Sequence, residues 1–190
     1  CRPSPMVTGH PKEKPMVRAE DKTVLVVDDE PNVRDYLKTI LEDVGFNVLT
    51  AADGHEALEV IRRTPPDFIS LDLVMPRKSG HKLLYELKKD RVLSRIPVLI
   101  VTAHARDELG RGSIQDLLDN RIMSGPGTYL EKPVKPLSYV RCVQRALGIE
   151  ETREVNDRVS LKEELQRKIQ GADPDLLRKA LEALGKKAKE

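Results

Sequence analysis

Residues 24–29 read VLVVDD, a run of four aliphatic residues that ends in two aspartates. Four further hydrophobic runs follow along the chain: FNVLT at 46–50, FISL at 68–71, VLIV at 98–101 and TYLE at 128–131. Short runs of β-branched and aliphatic residues, separated by helix-like segments, are typical of buried parallel strands. The run at 24–27 therefore predicts the first strand of a parallel α/β sheet.

Polar residues stand at the ends of four of these five runs. They are Asp28 and Asp29, Asp72, Thr102 and Lys132. Ligands of an open parallel α/β sheet bind beyond the carboxyl ends of its strands, so these five side chains are expected to converge on one crevice. Three carboxylates, a hydroxyl and an amine are the groups that Mg²⁺-assisted phosphorylation of an aspartate requires.

The segments between the runs carry helix signals. The predicted helices lie at 31–44, 53–64, 80–87, 107–120 and 136–147. Pro31 suits a first helical turn, Asp53 suits an N-cap, and Gly45 and Gly148 suit helix ends. The order is strand then helix five times, which predicts right-handed crossovers and a doubly wound five-stranded parallel sheet with helices on both faces.

The last part of the chain, residues 149–190, has no strand signal and is predicted to be a C-terminal α-helical extension. Ser160 and Glu163 have the spacing of a capping box at the start of one helix. Asp173 and Pro174 suit the N-cap and first turn of a second helix. Together these signals predict a helical hairpin appended to a domain at residues 22–148.

The hairpin carries an apolar stripe of seven residues: Leu161, Leu165, Ile169, Leu176, Leu177, Leu181 and Leu184. Burying each Leu or Ile side chain is worth about 1.5–3 kcal/mol, and isolated helices of this length are marginal in water. We therefore expect the stripe to pack on the preceding domain or on the hairpin of a second copy.

Composition narrows the classes of protein. The net charge is +2 and aromatic residues make up 3%, which argues against a nucleic-acid surface. Cys1 and Cys142 lie far apart in sequence, which favours a reduced, cytoplasmic chain over a disulfide scaffold. No apolar run approaches the length of a membrane span. Residues 1–21 are rich in proline without an apolar period, and they are expected to be a disordered leader.

Several of these segments together resemble the receiver domain of two-component response regulators. They are VLVVDDEP at 24–31, DLVMPRKSG at 72–80, Thr102 with Ala103, and Lys132 with Pro133. ADGHEAL at 52–58 also matches the start of that family's second helix. The resemblance covers about residues 22–147 and implies a CheY-like, flavodoxin-like fold with strand order 2-1-3-4-5. It also implies a cis peptide bond before Pro133.

The resemblance implies a Mg²⁺ site. Asp29 and Asp72 are the best direct ligands, and Asp28 would contribute directly or through water. The family pattern adds the backbone carbonyl of Val74, a residue with no polar side chain. Carboxylates this close repel one another, by roughly 4 kcal/mol for two unit charges about 4 Å apart at an effective dielectric of 20, so the cluster needs a cation.

The resemblance also implies the phosphoryl chemistry. Asp72 would be the nucleophile and the modified residue, with Lys132 and Thr102 as the other catalytic groups that contact the phosphoryl oxygens. Movement of Thr102 toward the phosphoryl group would vacate space for Tyr129, which stands at the position of the family's switch aromatic. Phosphorylation would in this way shift a conformational equilibrium.

The expected function is a phosphorylation-dependent signalling switch that receives its phosphoryl group from a histidine kinase or histidine phosphotransfer protein. It would catalyse only its own phosphorylation and dephosphorylation, and its output would be a protein–protein interaction. One alternative is a DNA-binding transcriptional regulator that uses the C-terminal helices, although two helices without a basic stripe make a poor helix-turn-helix. Another is a phosphatase with Asp72 as nucleophile, but haloacid-dehalogenase-like sites place an acidic residue where Val74 stands.

One departure from the family pattern concerns the segment between Thr102 and Lys132. The two residues are 30 positions apart, which is longer than the family commonly uses. The excess falls in residues 110–127. Receivers usually signal through this region, so the usual dimer or partner geometry is not assumed for this chain.

Overall fold

The computed structural model describes residues 17–75, 80–103 and 129–170, together with residues 172, 173, 175 and 178. Four sequence predictions fall wholly or largely outside these residues. They are the helix at 107–120, the long segment at 110–127, the leader up to residue 16 and the second helix of the C-terminal hairpin after Asp173.

Five parallel strands form one sheet: β1 Thr23–Val27, β2 Asn47–Ala51, β3 Phe68–Leu71, β4 Val98–Thr102 and β5 Tyr129–Glu131. Their order is β2-β1-β3-β4-β5, which confirms the predicted topology. The interior strands β1, β3 and β4 are buried along almost their whole length because helices cover both faces of the sheet.

The described helices are α1 Pro31–Asp43, α2 Gly54–Arg63, α3 Gly80–Lys89, α4 Pro136–Leu147 and α5 Arg153–Gln170. Short 3-10 turns at Ala19–Asp21 and Leu93–Arg95 precede β1 and β4. The Asp53 side chain accepts hydrogen bonds from the backbone N–H groups of His55 and Glu56 at 2.8 and 2.9 Å, so the predicted N-cap of α2 is confirmed. Gly148 ends α4 in the left-handed region, with φ of 67°.

Alternating residues of β1 feed two hydrophobic clusters, one on each face of the sheet. Leu25 and Val27 belong to the cluster that α2 and α3 cover. Val24 and Val26 belong to the cluster that α1 and α4 cover, where Tyr139 is the largest fully buried side chain. This arrangement is the predicted doubly wound sheet.

Helix α5 packs on the α1 and α4 face, but it begins earlier than the capping box predicted. It starts at Arg153, where the Thr152 hydroxyl accepts a hydrogen bond from the Val155 N–H at 3.4 Å. Ser160 therefore lies inside the helix, and the predicted start there is wrong. Val155 and Val159 join the α1 and α4 cluster, and a Lys162–Asp43 ion pair ties α5 to the end of α1.

The predicted apolar stripe is not what holds α5 on the domain. Leu161, Leu165 and Ile169 are 67%, 56% and 46% exposed. The remaining four residues of the stripe, at 176, 177, 181 and 184, lie outside the described residues. In the part of the chain that the structure describes, no helix has the length and apolarity to cross a membrane.

Candidate active site at the carboxyl ends of the strands

Strand register brings two of the predicted site carboxylates, those of Asp28 and Asp72, to the same level of the sheet. Val27 pairs with Leu71 at the ends of β1 and β3, so Asp28 and Asp72 are the next residues on neighbouring strands. The backbone N–H of Asp72 donates to the Val27 carbonyl at 2.9 Å and thereby continues the ladder by one residue. Both aspartates leave the sheet at the same edge.

Asp28, Asp29 and Asp72 form a compact acidic cluster. Each offers a carboxylate oxygen within 4.8 Å of the others. Asp28 and Asp72 are only 1% and 4% exposed, while Asp29 is half-buried. Water screens such charges poorly at buried positions, so their mutual repulsion is stronger than it would be on an open surface.

Lys132 supplies a countercharge inside this cluster. Its Nζ lies 2.7 Å from Asp72 Oδ2, 2.9 Å from Asp28 Oδ2 and 3.3 Å from Glu30 Oε1. The backbone N–H of Lys132 donates to the Thr102 carbonyl at 3.0 Å, which holds the lysine beside the end of β4. The Lys132–Pro133 peptide bond is cis, as predicted. The amine of the residue that follows β5 therefore reaches across the end of β4 to the central strands.

The pKa values of Asp28 and Lys132 are both raised, but for different reasons. Burial raises the pKa of Asp28, and the hydrogen bond and charge of Lys132 offset only part of that rise. Burial alone would lower the pKa of Lys132, but hydrogen bonds and attraction from Asp72 and Asp28 outweigh it and raise this pKa above its usual value. The lysine is therefore a permanent ammonium group at neutral pH.

The donor set fits Mg²⁺. Three carboxylates with oxygens this close, one of them half-exposed, match the oxygen-rich and partly hydrated coordination that Mg²⁺ prefers. Val74, the fourth predicted ligand, lies beside the cluster, since its backbone N–H donates to Asp72 Oδ1 at 2.9 Å. Metal ligation by its carbonyl stays a prediction.

The two predicted switch residues lie on adjacent strands. Thr102 is the last residue of β4 and is buried, whereas the side chain of Tyr129 at the start of β5 is half-exposed. In the parallel register Thr102 pairs with Glu131, two residues after Tyr129. Thr102 therefore stands at the strand end that carries the site, and Tyr129 stands two residues back from that level of the sheet.

Two residues that the sequence reasoning did not single out also belong to the site. Glu30 is the third carboxylate that contacts Lys132, after Asp72 and Asp28, and it approaches from the exposed side. Arg34 donates to the Asp28 carbonyl at 2.6 Å and so fixes the loop between β1 and α1. Glu30 directly follows the aspartate pair, which is a readable signal. Arg34 is one turn into α1, and its spacing from Asp28 predicted no contact.

Gly80, at the start of α3, lies against the backbone that carries Asp72. A Cβ atom at this position would come within 2.3 Å of the Asp72 carbonyl oxygen and 2.7 Å of Leu73 Cα. The Gly80 N–H also donates to the Leu73 carbonyl at 3.2 Å. Close helix packing behind the acidic residue therefore depends on the missing side chain.

The fold and the acidic site together define a receiver-type α/β domain. The family model described as response regulator receiver domain matches residues 24–144. The chain belongs to this family.

Known proteins resemble the chain over the same region. The probable transcriptional regulator ycf27 of Porphyridium aerugineum is 34% identical over 119 residues, which are 62% of this chain and 44% of that protein. The chain thus spans less than half the length of that relative. The chemotaxis response regulator CheY4 of Vibrio cholerae is 28% identical with a TM-score of 0.56, covering 66% of this chain and 98% of that one.

A third similar protein carries a metal in its structure. It is the receiver domain of the sensor histidine kinase PA1611 from Pseudomonas aeruginosa PAO1, with a magnesium ion coordinated in the active-site cleft. It is 28% identical, has a TM-score of 0.56, and the match covers 67% of this chain and 98% of that one.

Proposed function

We propose that this chain is a phosphorylation-dependent signalling switch in which Asp72 accepts a phosphoryl group from a histidine kinase or a histidine phosphotransfer protein. One observation carries the proposal: the Lys132 amine lies 2.7 Å from Asp72 inside a cluster of three carboxylates. The arrangement combines a buried nucleophile with a cation-binding acid cluster and a fixed positive charge. We further propose a cytoplasmic location and an output by protein–protein interaction.

The reaction assigns a role to each side chain. One oxygen of the Asp72 carboxylate forms a bond to phosphorus as the bond from phosphorus to the donor nitrogen breaks, which leaves an acyl phosphate on the aspartate. Lys132 neutralises charge on the phosphoryl oxygens, and the Thr102 hydroxyl donates a hydrogen bond to one of them. Mg²⁺ held by Asp28, Asp29, Asp72 and the Val74 carbonyl would neutralise further charge on the same oxygens.

The acyl phosphate would later be hydrolysed by water, which regenerates the carboxylate. The chain would thus turn over only its own phosphoryl group, and we propose no metabolic substrate. The hydrogen bond to Thr102 would exist only in the phosphorylated state. It would supply the differential free energy that a population shift requires, with Tyr129 as the residue that responds.

The test is phosphorylation by a small-molecule donor with Mg²⁺. Intact-mass analysis should find one added phosphoryl group that hydroxylamine removes, and Asp72→Asn should not acquire it. Asp53→Asn is the matched control because this carboxylate caps α2 and is not a member of the acidic cluster, and it should label like the wild type. Labelling of Asp72→Asn at the wild-type rate would overturn the assignment.

Transcriptional regulation is a second candidate, because several similar proteins are named probable transcriptional regulators and extend well beyond the matched region. The described extension gives it little electrostatic support. Helix α5 interleaves basic and acidic residues without a basic stripe. Titration of mixed-sequence duplex DNA should detect no salt-dependent binding by this chain, whereas a steep salt dependence would favour this candidate over protein–protein output.

A further inference from the structure

The ends of α2 and α3 and the turn that follows α3 form a basic surface. Residues 59–63 and 85–95 contain six basic residues against three acidic ones, a net charge of +3, while the whole chain carries +2. The positive net charge of the chain is therefore concentrated here. The six basic residues are Arg62, Arg63, Lys88, Lys89, Arg91 and Arg95, and the three acidic ones are Glu59, Glu86 and Asp90. The six basic residues and Val92 are called the basic edge surface.

The basic edge surface lies at the edge of the sheet opposite to the acidic cluster. Helices α2 and α3 each follow a strand and run back along the sheet, so both end near the amino ends of the strands. The N–H groups of Leu93 and Val92 lower the pKa of Asp90, the residue after α3. The charge of Arg62 lowers this pKa further, so α2 ends beside the end of α3. A partner that binds here leaves the acidic cluster uncovered.

Hydrogen bonds hold the turn after α3 in one shape. Asp90 Oδ1 accepts from the N–H groups of Val92 and Leu93 at 2.8 and 3.1 Å. The Ser94 N–H donates to the Asp90 carbonyl at 2.9 Å, and the Leu93 side chain packs on the core cluster under α2 and α3. Val92 points the other way and is 73% exposed, the largest exposed fraction among the large hydrophobic side chains of the described residues. A turn fixed in this way loses little conformational freedom when a partner binds.

Stabilisation of helix ends accounts for only part of the basic edge surface. Four of its six cations lie in the last turns of α2 and α3, where positive charge complements the helix dipole. Arg91 and Arg95 lie outside both helices, Arg95 in the 3-10 turn before β4. Both side chains are exposed, and neither forms an ion pair with a residue that the structure describes. These two arginines flank Val92 without a structural role inside the chain.

From these observations we propose that the basic edge surface is a docking site for an acidic segment of a partner protein, with an apolar side chain of that segment placed on Val92. The charges are complementary, and an apolar contact ringed by polar groups is the usual anatomy of a protein interface. A nucleic acid fits less well, because it calls for exposed rings on which bases stack. The Tyr85 ring at the margin of the surface already has the Lys89 ammonium 4.4 Å from its centre. The docking site does not depend on the assignment of Asp72 as phosphoacceptor.

Fluorescence anisotropy with the full chain and a labelled peptide of Glu residues interspersed with Leu tests the proposal. The peptide should bind at low ionic strength and weaken as salt is added. Arg91→Glu with Arg95→Glu should weaken binding about tenfold, because two attractions become repulsions, and should leave the urea midpoint of the exposed turn's chain unchanged. Arg153→Glu with Arg167→Glu makes the same change of net charge at exposed positions of α5 and should leave the affinity within about twofold of wild type. No binding of the peptide, or equal weakening by the two double variants, would refute the proposal.

Two further comparisons test the apolar contact and the kind of partner. Val92→Ser should weaken binding of the Leu-containing peptide about threefold and leave unchanged the binding of a matched peptide with Ser in place of Leu. Equal affinities of wild type and Val92→Ser for the Leu-containing peptide would contradict the placement on Val92. Single-stranded DNA of the same charge is the other probe. If it binds more tightly than the peptide and responds to the Arg91 and Arg95 substitutions, the surface is a nucleic-acid site and the proposal is overturned.

Discussion

Replacing Gly80 with alanine should damage both stability and phosphorylation through a single backbone contact. The new methyl group would stand 2.3 Å from the Asp72 carbonyl oxygen and 2.7 Å from Leu73 Cα. Both are backbone atoms, so no side-chain rotation relieves the overlap and either α3 or the end of β3 must move. Overpacking of this kind costs about 1–3 kcal/mol, and the lower unfolded-state entropy of alanine returns about 0.4–1 kcal/mol.

The net loss for Gly80→Ala is then about 1–2 kcal/mol of unfolding free energy. For a chain of this size, such a loss lowers the thermal midpoint by roughly 2–8 °C. Because the displaced backbone carries the proposed phosphoacceptor, labelling of Asp72 by a small-molecule donor should also slow under conditions where the variant is fully folded. Urea unfolding and thermal melting measure the loss of stability, and intact-mass labelling measures the slower phosphorylation.

Gly148→Ala is the matched control. Gly148 has a φ of +67°, and apart from its two chain neighbours no described residue has an atom within 4 Å of the point where a methyl group would stand. Alanine there meets backbone strain of about 1–2 kcal/mol without an overlap. It should destabilise the chain by a similar amount and leave the labelling rate unchanged. A wild-type midpoint for Gly80→Ala, or an equal loss of labelling in both variants, contradicts the reasoning from close packing.

Three further outcomes are expected. Lys132→Ala should lower the unfolding free energy by about 3 kcal/mol in urea titrations without Mg²⁺, because it leaves two buried carboxylates without their ammonium partner. Burial by itself would raise the pKa of Asp67, but hydrogen bonds from Lys22 and the Thr23 N–H and the charge of Lys22 lower it. The stability that this carboxylate adds is therefore present above the pKa it has in the unfolded chain, and it is lost as the pH falls through the lower pKa of the folded chain. The difference in unfolding free energy between wild type and Asp67→Asn should therefore shrink below about pH 4. Asp53→Ala should cost about 1 kcal/mol in the same titrations through loss of the α2 cap, and an unchanged urea midpoint would contradict that role.

The sheet could be predicted from sequence because its strands carry a local signal. Buried parallel strands need apolar residues on both faces, so runs such as 24–27 and 98–101 stand out from the amphipathic helices around them. The strand order has no local signal of this kind. It followed from the family resemblance, and the pairing of β1 with both β2 and β3 confirms it.

The start of α5 could not be predicted because its anchoring residues are sparse. Val155 and Val159 are the apolar residues in the first two turns, and they lie among charged side chains. The capping-box spacing at Ser160 and Glu163 gave a stronger local signal at the wrong place. Packing of the two valines on the α1 and α4 cluster decides the helix start, and this is a tertiary contact that sequence periodicity does not contain.

The candidate site also has one part that the sequence predicted and one part that it did not. The positions of Asp28, Asp72 and Lys132 were readable because strand ends of a parallel sheet converge, and the structure brings these three side chains together. The Arg34 contact was not readable. It depends on the direction in which α1 leaves the loop after β1, and this direction is set by packing of the helix rather than by spacing.

The acidic cluster places like charges close together at buried positions, which is unfavourable for folding. Asp28, Asp72 and Glu30 contact one ammonium group, and Asp29 lies in the same cluster, so carboxylates outnumber the ammonium while Asp28 and Asp72 are almost completely buried. Burial raises the pKa of Asp28, which marks the charged form as unfavourable there. A cation that binds only the folded arrangement adds stability by mass action. Residues chosen for folding alone would not place these charges together, which is why the departure from apolar patterning at the strand ends points to function.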